Sequence, residues 1–77
     1  MEKTQLWHVR MEGYQRYWDV VVPGEDAKAA ILAARVDFRA AGVECKDPIG
    51  GVLKDEDFRV RPAPAHLLTH HVAKWEY

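Results

Sequence analysis

A chain of 77 residues with 48% hydrophobic content, three Trp, three Tyr and two Phe reads as a single domain, 1–77, with enough apolar mass for a packed core and too much for a disordered segment. Its formal charge of −1 argues against coating nucleic acid by bulk charge. One cysteine, Cys45, excludes an intrachain disulfide framework, and no stretch approaches the roughly 18–20 apolar residues of a membrane span.

A domain this small buries only about 60–65% of its unfolded surface, so a partner or a homodimer would add stability. The opening MEKTQLWHV has no apolar run like that of a secretion signal, and the lone thiol suits a reducing compartment. The expected location is cytoplasmic.

Residues 1–4 are polar and expected to fray. From Gln5 to Met11 the chain alternates, with Trp7, Val9 and Met11 on one side and Leu6, His8 and Arg10 on the other. Glu12, Gly13, Tyr14 and Gln15 read as a hairpin turn in which Gly13 is free to take positive φ. Arg16 to Val22 resumes the alternation: Trp18, Val20 and Val22 share one face, and Tyr17, Asp19 and Val21 the other. The short connection makes these two strands antiparallel neighbours.

Pro23-Gly24 ends the second strand, with Gly24 as N-cap and Glu25-Asp26 in the first turn of a helix. Ala27, Ile31, Ala34, Phe38 and Ala41 recur at spacings of 4, 3, 4 and 3, an apolar helical stripe, and Gly42 stands at the C′ stop. Val43 to Lys46 suits a short strand. Residues Asp47 to Gly51 are turn chemistry, and Lys54 to Asp57 a charged loop. Phe58 to Arg61 reads as a strand with Phe58 and Val60 on one face, ended by Pro62 and Pro64. The last segment admits two readings. It is a helix with Leu68, Val72 and Trp75 at helical spacing, or a turn over Pro64 to Thr69 followed by a strand with His71, Ala73, Trp75 and Tyr77 alternating. The second is preferred, because VAKWEY is rich in β-type residues. The expected fold is α+β: an antiparallel sheet of three to four strands with one long amphipathic helix on one face, in the order β-β-α-β-β.

Four histidines raise a metal site, with His66 and His70 four apart and His8 or His71 as a third ligand, yet there is no HExxH, no Cys pair and no nearby Asp or Glu with clear spacing; no metal or cofactor is expected. Cys45 has no recognisable nucleophile motif, so no catalytic residue is expected. Lys28, Arg35 and Arg39 share an exposed helix face and, with Arg59 and Arg61, would form a phosphate-binding patch. Solvated basic stems are the simpler account of them. Trp7, Trp18 and Trp75 are expected together on the core face. The uncovered face would carry Leu6, His8, Arg10, Tyr17, Asp19 and Val21, a mixture of apolar, aromatic and charged groups that suits a transient interface.

The stretch from Tyr17 to Ala30, YWDVVVPGEDAKAA, resembles the β-turn-α core of small accessory proteins of phages and mobile elements, the class that includes anti-CRISPR inhibitors. The resemblance implies a non-enzymatic protein that covers a surface of a larger host complex. Many such inhibitors are strongly acidic and this chain is not, which speaks against mimicry of DNA. The expectation is therefore a small binding or inhibitory protein that contacts a host protein or complex through His8, Arg10, Tyr17 and Asp19, with Arg35 and Arg39 as a second patch. The alternative is a nucleic-acid-binding module that uses the basic helix face.

Overall fold

The computed structural model describes residues 5–13, 15–46, 51–64 and 67–76. Strand β1 spans Gln5–Gly13 and β2 spans Arg16–Gly24. Helix α1 spans Ala27–Ala40, and strands β3 and β4 span Phe58–Pro62 and Ala73–Glu76. The four strands form one antiparallel sheet in the order β3-β1-β2-β4, with α1 against one face. This is the α+β architecture and element order that the alternation and the helical stripe imply.

The period-2 phases place the core. Val9, Met11, Val20 and Val22 project from β1 and β2 onto the buried helix face of Ala30, Ile31, Ala34 and Phe38. Phe58 enters from β3, its ring 6.3 Å from that of Phe38 and nearly parallel to it. Trp7 and Trp18 flank this cluster half-buried, and the Trp7 indole N–H donates to the Gly24 carbonyl at 3.0 Å. Ala27 and Ala41, expected in the stripe, lie exposed beyond its two ends.

Several boundaries differ from the sequence reading for local reasons. Strand β2 continues through Pro23-Gly24, which pair with Leu6 and Gln5. Pro23 is tolerated because β4 reaches only from Arg16 to Asp19, so no described strand there needs a Pro23 N–H. Among the described residues of the hairpin the left-handed one is Gln15, at φ 57°, and not Gly13. Gly13 serves another end, since a Cβ there would stand 2.7 Å from the Trp18 ring. Val43 to Lys46 is not a strand; it makes a single bridge, Lys46 to Val52, and Leu53 N–H donates to the Cys45 carbonyl at 3.0 Å. The charged loop holds a 3-10 turn, Asp55–Asp57, closed by the Asp57 carboxylate on the Lys54 N–H at 2.8 Å. The readings made for residues 1–4, Tyr14, Asp47 to Gly50, Ala65, His66 and Tyr77 lie outside the described residues.

The helix N-cap is Asp26 and not Gly24: its carboxylate accepts from Ala29 N–H at 2.8 Å, and no acidic residue lies within the first turn. At the other end Gly42, at φ 79°, donates to Arg39 O, and Val43 N–H donates to Phe38 O, a Schellman closure. Asp26→Ala is expected to lower stability by about 1 kcal/mol in chemical denaturation, and Asp26→Ser by a few tenths at most. Equal stability of all three chains would show that the cap is not formed in solution. Among the described residues no helix is long and apolar enough to cross a membrane.

Candidate binding surface

The face of the sheet away from α1 is built by the alternate residues of each strand. Directly opposite residues share a face, so the register sets its rows. One row runs Arg59, Arg10, Asp19, Ala73; the next runs Arg61, His8, Val21; and Glu12, Tyr17 and Trp75 form a third. His8, Arg10, Tyr17 and Asp19 thus come together, as the strand phases require.

They are linked to one another. The Arg10 guanidinium lies over the Tyr17 ring, 3.7 Å from its centroid, and Tyr17 stacks against Trp75 at 6.3 Å and 24°. The three side chains form a ladder across β1, β2 and β4. Asp19 anchors its end: Oδ2 accepts from the Trp75 indole N–H at 3.0 Å and lies 3.3 Å from His8 Nε2. Glu12 Oε1 stands 3.1 Å from Arg10 Nε and 3.8 Å from Arg59 Nε, which eases two arginines that face each other across β1 and β3. A shallow groove of about 330 Å³ runs along this half of the face, lined by His8, Arg10, Arg59, Val60 and Arg61.

The other end of the face is covered. Val21 projects from it yet is only 9% exposed. Leu67, Leu68 and His71 of the return toward β4 line the depression over Val21. Leu67 also lines a second depression with His8 and Arg61. His70, at φ 61°, holds this return in place: its N–H donates to Val21 O at 2.9 Å, and its Nδ1 lies 2.8 Å from Asp37 Oδ2 on the helix.

Trp75 corrects the sequence reading. It shares a face with Ala73 as expected, but that face is the open one, where the ring is 50% exposed. The five cations grouped as a phosphate patch also separate. Lys28, Arg35 and Arg39 belong to the helix, whereas Arg59 and Arg61 stand beside Arg10 and His8 on the opposite side of the sheet. Placing Phe58 and Val60 toward the core already requires this of Arg59 and Arg61. Arg35 is engaged internally: it donates to Leu53 O at 2.8 Å and to Asp55 Oδ1 at 3.1 Å, and lies over the Phe58 ring. Of the second candidate pair, Arg39 alone is exposed.

Arg35 and Arg39 instead border a depression of about 590 Å³ with Val43, Cys45, Lys46 and Val52. Burial pushes the Cys45 thiol pKa up, against the opposing pull of Arg35 and Arg39. A raised pKa leaves the thiol neutral at physiological pH, the opposite of an activated nucleophile. Cys45 is therefore expected to react with iodoacetamide at pH 8 several-fold more slowly folded than in urea. By linkage, its contribution to stability is full below the unfolded pKa and is lost as pH rises through the higher folded one. A faster reaction in the folded chain would reverse this assignment.

Among the described residues no three of His, Cys, Asp and Glu converge as metal ligands. His70, one half of the i, i+4 pair of the histidine reading, has its Nδ1 2.8 Å from Asp37 Oδ2. Comparison with known proteins returns no match: no family model, no curated protein and no solved structure is significantly similar to the chain.

Proposed function

We propose that this chain is a non-catalytic binding protein that docks through the open sheet face onto a protein surface of a larger host complex, in the manner of the small inhibitors carried by mobile elements. The observation that carries this reading is the Arg10–Tyr17–Trp75 ladder anchored by Asp19. It holds an arginine and two aromatics, the side chains that dominate interface energetics, in fixed positions on an exposed surface. Their rotamers are already restricted by mutual contact, so less freedom is lost on binding.

A second reading has its own support. Arg59 and Arg61 flank Arg10 along one edge of the same face, and aromatics beside a basic groove also suit a single-stranded nucleic acid.

The test combines affinity capture from host lysate, with and without nuclease, with titration of a fluorescent oligothymidylate, using the native chain and the Arg59→Glu/Arg61→Glu variant. A stoichiometric protein that survives nuclease, is lost on Tyr17→Ala, and comes with negligible oligonucleotide binding supports docking to protein. Oligonucleotide affinity that falls steeply with salt and drops roughly 10-fold or more in the double arginine variant would replace it with the second reading. Both arginines are exposed, so the variant is expected to fold within about 0.5 kcal/mol of the native chain.

A further inference from the structure

Strand β4 is an open sheet edge: in the order β3-β1-β2-β4 no described strand pairs with its outer side. The main-chain groups it presents follow from the hairpin. Strands β1 and β2 are joined by two residues and close on the pair Gly13–Arg16. A two-residue hairpin closes on a pair that exchanges both hydrogen bonds. Alternation then directs the main-chain groups of Trp18, Val20 and Val22 toward β1, and those of Tyr17, Asp19 and Val21 toward the other neighbour. The His70 amide, which donates to Val21 O, has this parity. Trp75 and Ala73, opposite Tyr17 and Asp19, therefore bond inward, and Lys74 and Glu76 hold their N–H and C=O groups outward.

We infer that this edge pairs with the same edge of a second copy of the chain, around a two-fold axis at Trp75. Two identical antiparallel strands must match outward residue with outward residue. A register centred on Lys74 sets ammonium against ammonium, and one centred on Glu76 sets carboxylate against carboxylate; both are unfavourable. The register centred on Trp75 sets Lys74 against the partner's Glu76 twice, with main-chain exchange at both pairs. Trp75 then meets the partner's Trp75 as a non-hydrogen-bonded pair, where Cα atoms approach to about 4.5 Å and side chains are closest. Within one chain Lys74 Nζ and Glu76 Oε1 are 3.8 Å apart along the strand, a loose contact that cross-strand pairing replaces.

The opposite edge lacks this complementarity. In FRVRP a symmetric pairing of β3 with itself centred on Arg59, Val60 or Arg61 sets arginine against arginine. Pairing through β4 makes an eight-stranded sheet and continues the Arg10–Tyr17–Trp75 ladder into its copy, whatever the open face binds.

Sedimentation equilibrium of the full chain, from about 10 µM to about 1 mM, tests this, since short paired strands put the interface at the small, weak end of specific ones. A monomer–dimer equilibrium is expected. Lys74→Glu and Glu76→Lys each turn two attractive pairs into two repulsive ones, and each should weaken the dimer roughly 10- to 30-fold. The combined swap should return it to within about threefold of the native chain. Hydrogen exchange on the unmodified chain adds a test that needs no variant: the Lys74 and Glu76 amides should slow as concentration rises. A monomer throughout the range, exchange at these amides that ignores concentration, or a dimer indifferent to the single substitutions or not restored by the swap would overturn the inference.

Discussion

Phe38→Ala is expected to lower the unfolding free energy by about 3–5 kcal/mol. Phe38 is the largest fully buried side chain among the described residues, and the helix offers the core only Ile31 beside it, with Ala30 and Ala34. The alanines let α1 lie close on the sheet, so no neighbouring helical side chain is long enough to fill the space the ring leaves. Phe58 would lose its stacking partner across the same space. A domain of this length has roughly 4–12 kcal/mol of stability at about 0.05–0.15 kcal/mol per residue, so one ring accounts for a large fraction. The comparison is Leu32→Ala or Val36→Ala on the exposed side of the same helix, 57% and 66% exposed, where changes within about 0.5 kcal/mol are expected. Guanidinium denaturation of the three variants checks both. A Phe38→Ala loss below about 1 kcal/mol would mean that the helix does not pack on the sheet by this face.

The elements with strong internal periodicity were legible from sequence. Val9, Met11, Val20 and Val22 are β-branched or long apolar residues at period 2, and Ile31, Ala34 and Phe38 recur at helical spacing, so each element announced its buried side. What failed was information held between elements. AKWE is four residues long with a single large apolar side chain, so its own pattern cannot say which face Trp75 joins. The register Tyr17–Trp75 decides it, and an indole N–H bonded to Asp19 suits the ring to the open face. The helix start moved from Gly24 to Asp26 because a carboxylate that accepts from the N3 amide is a better cap than a glycine, and the pairing of Gly24 with Gln5 keeps it in the strand. The Val43 to Lys46 segment has strand-like residues but no continuous partner, and the helix-end closure through Val43 N–H takes its first residue.

The same contrast governs the candidate surface. His8, Arg10, Tyr17 and Asp19 follow from strand phase alone, because a helix on one face leaves the other face to them. Arg59 and Arg61 follow in the same way once Phe58 and Val60 face the core, whereas Glu12, read as part of a turn, and Trp75 join the surface through the cross-strand register. Arg35 shows the reverse: exposed by helical spacing, it is drawn onto the Leu53 carbonyl and Asp55 by a loop that lies far along the chain.

Tyr17→Ala carries the largest expected effect on the proposed binding: at least about 30-fold weaker affinity for the proposed protein partner, the scale of an interface hot spot. Tyr17 stands between the Arg10 guanidinium and the Trp75 ring, so its removal frees both neighbours. Each must then be ordered again on binding, at roughly 0.5–1.5 kcal/mol per side chain, in addition to the contacts that the phenol ring itself makes. Tyr17→Phe keeps the ring and its ladder and should stay within a few-fold of the native affinity. The folded state loses less, about 1–2 kcal/mol, because the ring lies on the face away from the core. The two readouts together decide the matter. Binding that falls 30-fold or more in Tyr17→Ala, with a cooperative unfolding transition retained and with Tyr17→Phe near native, places the partner on this face. Binding untouched in both variants would move the partner elsewhere, and the exposed Leu32–Val36 side of the helix would be the next surface to substitute.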